Sequence, residues 1–251
     1  SGIVGSRTHP GEAVRQGVRR VGGSITMNPT PVELDFLLFR MLGTAEVADV
    51  FAISETVPSF AIDIDRITRV YNYSGCYVNQ ATVRGSEGAP MELTLDIMGT
   101  DETVSAAGTF PVITIGLTTR PYIFSDLVLV INAVTYSCKT WEMVINNALE
   151  EQVFNSLTRT RINSTDRIIT VNTQLPYDAH TAYALGVAGV AATATFTNGL
   201  VSILFNTPLV QFPRKSPTVG NSRGEIMLNV TGVARGTGTT DELTVTSDAA
   251  P

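Results

Sequence analysis

Residues 122–151 read YIFSDLVLVINAVTYSCKTWEMVINNALEE, and this stretch decides the fold. Leu127–Ile131 is a run of five apolar positions, too short for a helix and rich in β-branched residues, which marks a strand buried on both faces. Asn132-Ala133 supplies a tight turn, weaker than Asn-Gly because Ala resists positive φ, and residues 134–145 return as one long second strand. A hairpin of that length carries more apolar surface than a small sheet covers. Its cover is expected from its own domain and from a neighbouring subunit.

The rest of the composition agrees with a β protein. The chain has 251 residues, the upper edge for one all-β domain, and can bury roughly three quarters of its unfolded surface. Only 16% of residues are charged, while Gly, Thr, Val and Asn are plentiful, a composition of many short strands and turns. No run approaches the roughly 18–20 apolar residues of a membrane span, and the first residues do not pair a basic segment with an apolar one, so neither a span nor a secretion signal is expected.

Charge is unevenly placed. The net charge is −6, yet residues 1–20 carry Arg7, Arg15, Arg19 and Arg20 against Glu12 alone, a local +3 that leaves −9 on residues 21–251. An acidic body argues against tight nucleic-acid binding, which rests on Lys and Arg displacing counterions. It does not argue against a surface past which DNA slides. Residues 1–22 are Gly- and Arg-rich without a period and read as an extended arm, ordered on a partner, with one domain over residues 23–251.

The best helix signal follows. Thr30 is an N-cap, Pro31 takes the first helical position, Glu33 completes a capping box and Gly43 stands just past the end, predicting a helix over Pro31–Leu42. Leu34, Leu37, Leu38, Met41 and Leu42 make one apolar stripe for a sheet. Phe36 and Phe39 lie off it, which predicts a second contact with a loop or another subunit.

Residues 59–65 alternate, with Phe60, Ile62 and Ile64 on one face and Asp63 and Asp65 on the other. The two carboxylates stand roughly 6–7 Å apart, a spacing open to a metal or an acid/base pair. A solvated acidic face is the simpler reading, because no third ligand or histidine is near in sequence. Residues 75–84 and 91–98 predict a strand pair around a six-residue loop containing Glu87. Residues 92–99, ELTLDIMG, are echoed by residues 225–232, EIMLNVTG, and Asp-Glu follows each, compatible with two similar β units or with two strands of like polarity. Residues 108–120 read as a loop and edge piece between Pro111 and Pro121. Residues 148–161 read as a short helix or an outward loop, residues 166–173 as a strand, residues 191–205 as a hairpin turning at Asn198-Gly199, and residues 224–234 as a last strand. The intervening loop is basic, with Arg214, Lys215 and Arg223.

Catalytic chemistry has little to be built from. His9 sits in the arm and His180 in a Tyr/Ala-rich loop, and no dinucleotide, P-loop or zinc-protease motif is present. Neither an enzyme nor a cofactor is expected. Cys76 and Cys138 lie in separate strand-like segments with no CxxC; they can pair across a core, but two unpaired thiols is the simpler reading. Trp141, the single tryptophan, reads as a core or interface anchor, and Tyr71, Tyr73 and Tyr77 as one packed face or a sugar-stacking surface.

The helix TPVELDFLLFRMLG, the strand pair YSGCYVNQATVRGSEGAPMELTLDIMG, the hairpin DLVLVINAVTYSCKTWEMVINN and the final RGEIMLNVTGVA together resemble the tail tube proteins of long-tailed bacteriophages, from about residue 22 to the end. The resemblance rests on strand patterns in order, and the family has no active site to carry over. It implies a mainly β subunit, a barrel or sandwich of antiparallel strands with one α-helix packed outside. It further implies a homo-oligomer of hexameric rings stacked into a hollow tube, assembled in the host cytoplasm and carried in the virion, through which DNA passes without specific binding. Tape measure, terminator and distal tail proteins are the implied partners. Under this reading Arg15, Arg19, Arg20, Phe36, Phe39, Val128, Val130, Trp141, Arg214 and Lys215 are expected at subunit or ring interfaces. Asp63, Asp65, Glu87, Asp96 and Glu142 are expected on an acidic lumen or solvent face. The alternative is another tail-adaptor or a carbohydrate-binding β-sandwich.

Overall fold

The computed structural model describes residues 17–106, 120–177, 189–199, 201–213 and 226–248. The helix α1 (Pro31–Leu42) forms as the caps predict: Glu33 N–H donates to Thr30 Oγ1, Thr30 N–H donates to Glu33 Oε2 at 2.8 Å, and Gly43 closes the helix at φ 99° by donating to the Phe39 carbonyl. Only Gly fits there, since a Cβ would lie 2.4 Å from the Thr56 carbonyl oxygen. Leu34, Leu38, Met41 and Leu42 are fully buried, at about 2 kcal/mol each relative to water.

Fourteen of the described strands form one antiparallel sheet. Its main path runs β1 (Val21–Met27), β5 (Glu92–Gly99), β4 (Arg69–Ser86), β9 (Thr140–Asn146), β12 (Ile168–Pro176), β15 (Met227–Ala234), β14 (Ser202–Gln211), β13 (Val190–Thr197), β7 (Leu127–Ile131) and β8 (Val134–Tyr136). Off this path, β16 (Thr244–Ser247) pairs β14 and β2 (Val50–Ala52). The 18-residue β4 bends at Gly75, φ 57°, where a Cβ would strike Thr100. Beyond that bend β4 leaves β5 and is flanked by β3 (Phe60–Asp65) and β6 (Asp101–Ala106), a three-stranded ribbon projecting from the sheet.

The sheet does not close into a barrel. It folds over itself like a sandwich, because β9, β12 and β15 turn their alternate apolar residues toward those of β13 and β14: Trp141, on β9, meets Phe196 and Phe205 with ring centroids 5.5 Å away. The mainly β class with one helix on the outside stands.

Three expectations are corrected. The return strand is broken: β8 pairs β7, while β9 lies between β4 and β12. The core-facing side carries Val134, exposed at the sheet edge, and Tyr136 in β8 but the buried Trp141, Met143 and Ile145 in β9. That change from even to odd positions is one a continuous strand cannot make. Second, Leu127–Ile131 is not buried on both faces, since Val128 is 50% exposed while Leu129 and Ile131 are buried. Third, residues 148–161 hold no helix: β10 (Leu149–Gln152) and β11 (Arg161–Ser164) pair as a separate two-stranded sheet. The two echoing stretches are both strands, with Leu95, Ile97 and Gly99 buried in one and Leu228, Val230 and Gly232 in the other.

Candidate assembly surfaces

Among the described residues no group of three or more His, Cys, Asp or Glu is arranged to hold a metal. Asp63 accepts from Asn72 Nδ2 at 2.7 Å, and Asp65 accepts the Ile67 N–H at 2.8 Å, a local turn at the ribbon's tip. Both thiols are free, and burial pushes each up from the usual cysteine value. Tyr71 and Tyr73 share one ribbon face with Ile62, Ile64 and Val104, and the Arg66 guanidinium sits 4.7 Å over the Tyr71 ring.

The outer face of the β1, β5, β4, β9, β12, β15 region is polar and sparsely charged. One row across it reads Glu92, Arg84, Glu142, Asn172, Thr231, and the next reads Thr26, Thr94, Thr82, Val144, Thr170. Arg84 pairs Glu92 at 3.0 Å and Asn172 Nδ2 donates to Glu142 at 2.7 Å. Asp96, on the same face, accepts from Asn79. Alternation of the strands therefore puts Asp96 and Glu142 on one face, in rows four residues apart, while Asp63 and Asp65 lie apart on the ribbon and Glu87 sits exposed in the β4–β5 turn.

Large apolar side chains are exposed on several elements, α1 and β7 among them. Phe36 on α1 is 60% exposed, one turn from the exposed Val32, and Arg40 lies 5.4 Å over its ring; Phe39 is half-buried with the same guanidinium 4.8 Å away. On the outer face of β7, Val128 is exposed and Val130 half-buried, while Val134 on β8 is exposed on the opposite face, beside the buried Ile131. Trp141 is fully enclosed by its own chain, leaving no surface for a neighbour to cover.

The basic residues at the start of the described chain are tied down. Arg19 pairs Asp101 at 3.3 Å, and Arg20 pairs Glu151 at 2.7 Å. Glu151 also takes Arg159 Nε at 2.5 Å, and the same buried guanidinium donates to the carbonyls of Val21 and Gly99, the paired end residues of β1 and β5. Arg159, followed by the weaker Arg20 contact, holds the Glu151 carboxyl below its usual range. Arg15, Arg214 and Lys215 lie outside the described residues.

Sequence reasoning missed three features. A groove of about 320 Å³ runs between β1 and the ribbon, lined by Val21, Gly23, Ile25, Ile62, Ile64 and Tyr73; it needs the fold to bring 21–25 against 62–73. Arg159 stood in a loop without pattern, so nothing local signalled its role. Asp35, off the helix stripe, has its carboxyl raised to about 6 by burial, with Glu46, Asp248 and Asp49 adding to the rise and a Ser247 hydrogen bond opposing it.

A family model described as phage tail tube protein matches residues 3–234 of the 251. No curated protein matches the chain.

Proposed function

Because the chain belongs to the phage tail tube protein family, a structural component of the virion tail, we propose that it assembles into hexameric rings that stack into a hollow tube delivering DNA to the host. The observation that carries this reading is the pair of exposed apolar surfaces on different elements, Val32 and Phe36 on α1 and Val128 on the outer face of β7. A ring needs a heterologous contact, in which one surface of a subunit meets a different surface of the next, and two unlike patches on one subunit meet that need. Phe39 and Val130 flank these contacts; Arg15, Arg19, Arg20, Arg214 and Lys215 extend them between rings.

The polar outer face with Glu92, Asp96 and Glu142 against Arg84 alone suits the lumen wall. Three carboxylates to one guanidinium repel phosphate weakly, whereas a wall of Lys and Arg would hold DNA through salt-dependent contacts. Assembly in the host cytoplasm and contacts with tape measure, terminator and distal tail proteins belong to the same reading. Electron microscopy of the purified full chain tests it: rings or tubes are expected, and a protein monomeric at every concentration overturns it.

A further inference from the structure

Residues 149–164 form the two-stranded β10–β11 hairpin, which shares no strand pairing with the main sheet among the described residues. None of its residues belongs to the hydrophobic core, and Arg159 is the one buried residue among them. A cleft of about 430 Å³ separates Leu149 and Ile162 of the hairpin from Val57 and Tyr77 of the body. A lone two-stranded hairpin is marginal in water, so this one depends on what ties it down.

The ties are polar and fall at its two ends. At the near end Thr165 N–H and Oγ1 donate to the Ala148 carbonyl, Ser164 Oγ donates to the Asn147 carbonyl, and Leu149 N–H donates to Asn79 Oδ1. Ala148 holds φ at 45°, a left-handed conformation that Ala disfavours, where the chain enters β10. At the far end Arg159 donates to Glu151 within the hairpin and to the Val21 and Gly99 carbonyls of β1 and β5. Beside it the Arg19 N–H donates to the Leu157 carbonyl at 2.8 Å, and the Arg20 side chain pairs Glu151. The near end has the form of a hinge and the far end that of a catch.

We propose that β10–β11 is a strap that swings open as a unit while the main sheet stays folded, and that Arg159 is the catch that closes it over residues 19–21. A segment with little buried apolar surface opens at lower free energy than the core. Closed, the strap holds the Arg19 backbone and the Arg20 side chain against the body. Open, it releases Arg20 and leaves Arg19 only its exposed pairing with Asp101. The opening belongs to the single subunit, so its test stands apart from the ring reading.

Hydrogen exchange on the full chain, at a concentration where it is monomeric, tests the strap. In the parent, the hairpin amides and the Arg19 amide are expected to exchange together, at least about tenfold faster than those of β12. Ile169→Val trims a fully buried residue of β12, so it should speed exchange in β12 about fivefold and leave the hairpin and Arg19 unchanged. Arg159→Lys keeps the charge but loses the fork of donors, and should speed exchange at the hairpin and at Arg19 by one common factor. Glu151→Gln loosens the same catch while both carbonyl contacts stay, and should move the two in the same direction. A hairpin that exchanges no faster than β12, or that speeds up with it in Ile169→Val, opens only when the whole chain unfolds and overturns the strap. An Arg19 amide that keeps its rate in both catch variants overturns the catch.

Discussion

Trp141 lies edge-on to Phe196, ring centroids 5.5 Å apart and planes at 65°, and this contact joins two parts of the sheet that are four strands apart along its path. Edge-to-face geometry sets the positive rim of one ring against the negative face of the other. Phe205 stands at the same distance from the indole, and Tyr122 lies 6.2 Å from Phe196. The folded-over sheet is thus held from the middle.

Trp141→Ala should cost about 3–5 kcal/mol, since the residue is 0% exposed and its removal leaves a cavity between β9 and β13. Trp141→Phe should cost far less, because the indole Nε1 has no hydrogen-bond partner to lose among the described residues. Urea unfolding of the two variants checks the order. Equal losses would show that a smaller aromatic ring cannot replace the indole, so that its full shape and not ring contact alone holds the core.

What the sequence made legible was local. The capping box, the stripe of α1 and the turn at Asn198-Gly199 depend on residues within one or two turns of each other, and each stands in the structure. Asn132 and Ala133 both adopt positive φ, so the tight turn is real although Ala disfavours it. The break between β8 and β9 was also written in the sequence, as the shift of apolar parity between Tyr136 and Trp141. Length alone hid it. What stayed illegible was pairing across the fold: nothing near Arg159 predicts the carbonyls of Val21 and Gly99, and nothing near Gly23 predicts the groove beside it.

Val128→Asp should leave the monomer's stability within about 0.5 kcal/mol of the parent, because the side chain is half exposed, and should abolish ring formation. Ile131→Asp, on the same strand but 0% exposed, should unfold the protein. Circular dichroism and size-exclusion chromatography of both separate the surface role from the core role. Loss of fold in Val128→Asp would mean that the outer face of β7 is ordinary core.

Removing Arg159 leaves the Glu151 carboxylate and two strand-end carbonyls without their shared donor, which should cost about 2–4 kcal/mol. Because the folded Glu151 carboxyl titrates below its usual value, its contribution is present above the unfolded pKa near 4.5 and is lost as pH falls through the lower folded value. Arg159→Ala should therefore destabilise strongly at pH 7 and progressively less below pH 4.5. Thermal melts across pH 3–7 read this, and a pH-independent loss would assign the cost to the carbonyl contacts alone.

Asp35 carries the opposite sign. Burial raises its folded carboxyl from 3.8 to about 6, with Glu46, Asp49 and Asp248 adding like charge. One carboxylate oxygen, Oδ1, has no hydrogen-bond partner among the described residues. The folded state therefore holds the proton more tightly than the unfolded chain. Its stabilising contribution is fully present below pH 3.8 and is lost as pH rises through 6. Asp35→Asn keeps the shape without the charge, so it should raise stability at pH 7.5. The full shift corresponds to about 3 kcal/mol, and partial exposure reduces that to roughly 1 kcal/mol. The gain should shrink between pH 6 and pH 4, where the parent carboxyl is itself neutral. Melting the parent and the variant side by side at pH 7.5, 6 and 4 decides it. If the variant is less stable than the parent at pH 7.5, the ionised carboxylate stabilises the contact between α1 and β16 through Ser247, and burial is not the dominant influence on Asp35.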